Sequence, residues 1–432
     1  MKNFLIVWIG QTVSMIGSSM TSFAITIWVW QVTGQATALA LFGFFTQVPQ
    51  VLMALIAGVI VDRTQRKLLI MLGDTVSGLV TIAILLVYLT HHLQLWHLYL
   101  AVAVKGTFEQ FQQLAYSAAI STMIPKQHYG RASSMGFLAS YGAQIMAPAL
   151  AGMVYATIGL VGILIIDLTT FAIAIITVLR VHIPQPTITV ADTQSPTNIQ
   201  QEMSFGWRYI TARPSLLAIL VITSLFWLAH DIGSSLYAPM ILARTGNNAQ
   251  LLGLLASAAG IGGVIGALVT SRWGGFQRRI DGMLLGMVGA GLSKTIFGLA
   301  GMPLIWIPAQ FCSSLNFPLL GSSIDAIWLS KVKPNIQGRV FATRSMILLI
   351  TSAFATLIAG PLADYVFEPM MMPGGSLTPI MGKLFGTQKG AGITLLYAVS
   401  SLSLLVVGFS GYACRTLRNL DTILPDHDAD TA

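Results

Sequence analysis

Twelve apolar runs fill this sequence, at 4–30, 36–61, 68–89, 95–124, 133–158, 159–180, 214–242, 250–271, 280–299, 303–330, 340–366 and 391–414. A bilayer core of about 30 Å takes about 20 apolar residues as a helix. Backbone polar groups in lipid must be satisfied within the segment, and a helix does this. Each run therefore reads as a transmembrane helix, and the chain as an all-α membrane protein. Only 9% of its 432 residues are charged and 55% are hydrophobic, whereas soluble chains carry about 25% charge. Little length remains for a soluble domain. The net charge of +8 comes from basic residues in twos and threes between apolar runs, with no extended basic surface, so no nucleic-acid partner is expected. Cys312 and Cys414 stand in separate apolar runs without metal-ligand spacing, and core positions are expected for both.

Lysine and arginine accumulate in cytoplasmic loops. All 23 except Lys105, Arg244, Lys294, Lys383 and Lys389 fall on one side of a twelve-span chain. Both termini are thus expected in the cytoplasm. Met1-Lys2-Asn3 leads into an apolar run too long for a signal-peptide core, which is read as a retained first span. Residues 181–213, with Pro184, Pro186 and Pro196, read as a cytoplasmic linker with an amphipathic segment near Met203 to Tyr209. It divides an N-terminal bundle, 1–180, from a C-terminal one, 214–414, and 415–432 forms a cytoplasmic tail. The outer connection, 367–390, reads as a disordered loop in preference to a lid.

Equivalent loops of the two halves share Thr33-Gly34 with Thr245-Gly246, Gln65-Arg66-Lys67 with Gln277-Arg278-Arg279, and Gly130-Arg131 with Gly338-Arg339. Two pseudo-symmetric six-helix bundles follow, an arrangement that supports alternating access to a site near the bilayer midplane. In the loop after the second span, Asp62 can approach a helix N-terminus, while Arg63, Arg66 and Lys67 can pair with carboxylates or lipid phosphates. The group reads as a conformational latch; plain topology anchoring is the competing reading.

Gly58-Val59-Ile60-Val61-Asp62-Arg63-Thr64-Gln65-Arg66-Lys67 resembles the major facilitator superfamily signature G-x-x-x-D-[RK]-x-G-[RK]-[RK], with Gln65 in place of a glycine. Further stretches, among them Ala147-Pro148 to Gly152, Ser330-Lys331-Val332-Lys333-Pro334 and Ala359-Gly360-Pro361, resemble its macrolide-efflux and siderophore-exporter branch. The resemblance implies the major facilitator fold and proton-driven export of an amphiphilic compound across a bacterial inner (plasma) membrane. Small amphiphilic substrate, protons and membrane lipid are the implied partners, and a monomer is expected. Uptake or flipping of a lipid or small solute, and a non-transporting sensor on the same scaffold, are the alternatives. No nucleotide loop, metal-spaced His/Cys cluster or nucleophile turn is present in the sequence, so neither cofactor nor enzyme is expected.

Ionisable groups at bilayer depth need a partner or a purpose. They are Asp74, Lys105, Glu109, Asp167, Asp231, Lys294 and Asp325. Lys105 and Glu109, spaced i,i+4, can pair; Asp74 and Asp325 stand near cytoplasmic ends, where anchoring of basic loops is expected. Asp231, beside His230 and with no cation near it on its own helix, is preferred as the carrier of a coupling proton, with Glu109 second. Trp28, Phe108, Phe111, Tyr141, Trp227 and Tyr237 fall in helices that line the central cavity of the superfamily, where an amphiphile could stack. Packing or lipid contact competes at each of them.

Overall fold

A computed structural model describes residues 2–124, 129–181, 199–333 and 336–425. Four long helices open the chain: α1 (Lys2–Thr33), α2 (Ala36–Arg63), α3 (Arg66–Leu89) and α4 (Leu95–Met123). The next, α5 (Tyr129–Arg180), breaks at Gly159, whose φ of 58° and ψ of −165° leave the helical region. Glycine is suited to this conformation because it has no Cβ, and the break falls at the boundary read from sequence between the fifth and sixth spans. Short α6 (Ile199–Thr211) precedes α7 (Pro214–Arg244), α8 (Ala249–Trp273), α9 (Arg279–Leu299), α10 (Pro303–Lys331) and α11 (Gln337–Pro361). A π-helical turn, Leu362–Phe367, leads to α12 (Glu368–Met371), α13 (Thr378–Phe385) and the last long helix, α14 (Ala391–Ala413); α15 (Arg415–Arg418) and α16 (Leu420–Ile423) follow.

Among the described residues nine helices are long and apolar enough to cross a membrane, α5 counting once. The two halves of α5, with α4 and α10, bring the long segments to the twelve read from sequence. Polar residues such as Lys105, Glu109, Gln110, Gln112 and Gln113 dilute the hydropathy of α4; Gln310, Asn316 and Asp325 do so in α10.

The chain forms two compact units: Met1–Thr189 with Ile241–Ser257, and Val190–Met240 with Ala258–Ala432. In the first, α1 lies along the second half of α5. Gly10 and Gly17 leave room for Thr177 and Thr170 respectively, so the pairing is antiparallel. Small residues permit the close approach that drives helix association in lipid. In the second, Ile219, Phe226, Met283, Met287, Leu320, Ile324 and Leu404 make a core among α7, α9, α10 and α14. There the amphipathic segment near Met203 to Tyr209 is part of α6, whose Gly206 fits against Thr343 and the Arg339 carbonyl of α11.

The repeat is visible at residue level: Gly34 and Gly246 take φ of 58° and 61°, and Thr33 and Thr245 each donate to the carbonyl four residues back at 2.7 Å.

Two expectations are corrected. The outer connection is not a disordered loop: Met371, Phe385, Ala391, Leu395 and Ala398 form a small core there, and the Glu368 carboxylate accepts from the backbone N–H groups of Gly390 (2.5 Å), Gly392 (2.9 Å) and Ile393 (3.3 Å). An anion there satisfies the free N–H groups that begin α14. Nor are the cysteines core residues: Cys312 is exposed and Cys414 half-buried. An apolar position in a lipid-facing chain can point outward.

Candidate functional site

Of the signature loop, Gly58, Asp62 and Arg63 end α2, and their side chains lie outside the described residues. Gln65 has φ −63° and ψ 119°, a conformation open to any residue, so replacing the family's glycine imposes no backbone strain. Arg66 begins α3. One turn begins there with Lys67, whose Nζ donates to the carbonyls of Leu179 (3.1 Å) and Val181 (2.8 Å). A cation at the C-terminal end of α5 satisfies carbonyls that lack helical donors; its partners are backbone oxygens, where the sequence suggested carboxylates or lipid phosphates.

In the second unit α7 carries a compact polar group. His230 Nδ1 lies 3.1 Å from Asp231 Oδ1, and the two side chains are 15% and 17% exposed. The imidazole stands edge-on to Phe317, centroids 5.0 Å apart at 90°, and 5.0 Å from the Trp227 ring. Lys294 of α9 is 7% exposed, and its Nζ lies 5.8 Å from the centre of the Phe317 ring that His230 also meets. No ion pair joins Lys294 to Asp231 among the described residues. A carboxylate and an imidazole in contact, with a buried ammonium near the same Phe317 ring, make a set able to exchange a proton and to change its net charge in doing so. The sequence offered Asp231 no cation on its own helix; α9 supplies one.

Glu109 lies in the first unit, on α4, and is exposed. Gln50 Nε2 donates to it at 3.4 Å, and among the described residues no ion pair joins it to Lys105. Asp325 accepts from both terminal nitrogens of Arg344, at 3.1 and 3.2 Å, which matches its expected anchoring role. Asp74 does not follow suit: it is 3% exposed and held by Gln11 and Gln112, not by a basic loop residue among those described. Asp167, also 3% exposed, accepts from Ser18 and Thr81, each at 3.1 Å.

The aromatic candidates divide by surroundings. Trp227 stacks with Phe317 at 6.1 Å and belongs to the Asp231 group. Tyr237 stacks on Phe297 at 5.7 Å, and Phe297 in turn meets Tyr397 and Trp306, a packing role. Trp28 meets Tyr88 edge-on at 6.1 Å. Phe108 and Phe111 meet at 6.4 Å, and Tyr141 is half-buried in α5.

A multi-pass helical chain with internal six-helix repeats and buried charged groups has the architecture of a secondary transporter. Residues 1–309 match the family described as transmembrane secretion effector, and the chain belongs to that family of the major facilitator superfamily. It is a transporter, not an enzyme. Macrolide efflux protein A of Streptococcus pyogenes is 24% identical over 366 residues, covering 84% of this chain and 90% of that protein. The enterobactin exporter EntS of Escherichia coli O1:K1 / APEC is 24% identical over 343 residues, covering 79% and 77%. The resemblance to the macrolide-efflux and siderophore-exporter branch is thereby borne out. Among solved structures, an inward-facing and unoccupied bacterial homologue of the human lysosomal transporter Spinster aligns over 98% of both chains, with a TM-score of 0.71 at 14% identity. The nucleoside transporter NupG aligns over 96% of this chain and 100% of its own, with a TM-score of 0.68 at 13% identity. These structures share the fold.

Proposed function

We propose that the chain exports an amphiphilic compound, macrolide-like or siderophore-like, from the cytoplasm in exchange for protons, by alternating access in a bacterial inner membrane. The observation that carries the reading is the Asp231, His230 and Lys294 group beside Trp227 and Phe317. A coupling site must take up a proton on one face of the membrane and release it on the other. Asp231 is the proton carrier in this reading, and Lys294 offsets the charge left when the proton departs. Aromatic faces next to the group suit an amphiphile through apolar burial and stacking. The two named relatives, one of macrolide efflux and one of enterobactin export, support the direction and the substrate class. Glu109, exposed on α4, is the second candidate for coupling, and the Gly58 to Lys67 loop biases the conformers.

Purified protein in vesicles with an imposed pH gradient tests this, with a macrolide and enterobactin as probes. Wild type should concentrate one of them against its gradient. Asp231→Asn should abolish uphill movement and its pH dependence while downhill exchange persists. Uphill transport by Asp231→Asn but not by Glu109→Gln would move the proton to α4. No pH-driven transport of either probe by wild type would overturn the reading.

A further inference from the structure

Three helices of the first unit are joined at a buried carboxylate. Asp74 of α3, 3% exposed, accepts from Gln11 Nε2 of α1 at 2.8 Å through Oδ2, and from Gln112 Nε2 of α4 at 2.7 Å through Oδ1. Gln112 Nε2 also donates to Gln11 Oε1 at 3.0 Å, which closes a ring of three side chains. Gly73 makes the ring possible, since a Cβ there would collide with the Gln112 side chain.

From this ring we infer that Asp74 is a proton-binding site, and that its protonation opens the clasp between α1, α3 and α4. Three contacts close the ring, and with the carboxylate ionised all three have a donor facing an acceptor. A proton placed within the ring on Oδ1 faces the Gln112 N–H; on Oδ2 it faces the Gln11 N–H. Turning Gln11 alone sets two donors together, and turning Gln112 alone sets two acceptors together. Turning both leaves one carboxylate oxygen facing an amide oxygen unless two protons are bound. Every arrangement with a single proton inside the ring therefore breaks one contact, and a proton on an outward lone pair exchanges the charge-assisted bonds for weaker neutral ones.

The charged and titratable groups on the elements around Asp74 are Lys2 of α1, Arg66, Lys67 and Tyr88 of α3, His97, Tyr99, Lys105, Glu109 and Tyr116 of α4, and Tyr129, Arg131, Tyr141, Tyr155, Asp167 and Arg180 of α5. Among the described residues none forms an ion pair with Asp74, and the donors that face its carboxylate are the amides of Gln11 and Gln112. A carboxylate so placed in a membrane protein marks a functional group by default. The inference concerns proton binding in the first unit and stands whether or not Asp231 couples export.

Infrared difference spectra of the purified protein across a pH titration, in H2O and D2O, read the site without any substrate. Wild type should gain a protonated-carboxyl band on acidification that Asp74→Asn lacks and Asp231→Asn keeps. Hydrogen exchange, corrected for the intrinsic chemical rate, reads the clasp. Acidification should speed exchange of backbone amides around Gln11 about ten- to hundredfold, the worth of one lost hydrogen bond to a charged group. Gly73→Ala, which displaces Gln112 but favours helix, should exchange fast already at neutral pH. It serves as the second variant should Asp74→Asn not fold. An unchanged band in Asp74→Asn, or corrected exchange around Gln11 that ignores pH in wild type, would overturn the inference. Loss of uphill export with the band and the exchange response intact would count against the proposed function only.

Discussion

Lys294 gains its meaning from α7. A buried ammonium near the Phe317 ring that His230 of the Asp231 pair also meets is costly alone. Lys294→Met should therefore destabilise the protein, and adding Asp231→Asn should restore part of the loss. A double-mutant cycle read by thermal unfolding should give a coupling of about 1–3 kcal/mol; strict additivity would mean that the two charges do not sense each other. Glu368 offers a second case. Glu368→Gln keeps the shape but removes the charge that binds the start of α14, and the loss should be about 1–3 kcal/mol. An unshifted unfolding temperature would show the carboxylate to be dispensable. Neither residue's partner was legible in the sequence. Lys294 lies 63 residues from Asp231, and Glu368 caps a helix that begins more than twenty residues later, so no local pattern links them.

The long helices were legible as elements because the spacing of apolar runs is set by bilayer thickness. Even the break in α5 was placed, since Gly159 sits where two runs meet. What the elements pack against was not. Gly10 and Gly17 are seven residues apart on one face of α1, and Thr177 and Thr170 mirror that spacing on α5. Gly10→Val or Gly17→Val should force the helices apart and cost about 1–3 kcal/mol. Gly142→Ala, also on α5 but with nothing near its added methyl, should be neutral or slightly stabilising. Unfolding curves of purified variants decide this: equal effects at Gly17 and Gly142 would remove the close-packing argument. The outer connection was misread because its Met, Pro and Gly content resembles a loop, while the contacts that order it come from α14.

For the whole molecule, the placement of lysine and arginine predicts that both termini are cytoplasmic. In a background with Cys312 and Cys414 replaced by serine, cysteines at Thr197 and Asp428 should resist an impermeant maleimide outside intact cells. One at Ser376, which is exposed, should react. Labelling at Thr197 would invert the topology or change the number of spans. Sequence alone determined the class of this protein, its fold and its family, because lipid restricts a spanning chain to apolar helices of one length and the Gly58 to Lys67 signature is local. Tertiary structure decided the use of each buried polar group. Asp74 met two glutamines, Asp167 two hydroxyls, Asp325 an arginine and Asp231 a histidine, with Lys294 of α9 near the Phe317 ring that this histidine meets. All are aspartates in or near apolar runs, and what distinguishes them is the helix packed alongside, a neighbour that hydrophobic patterning leaves unspecified because every lipid-spanning helix is apolar on most of its faces.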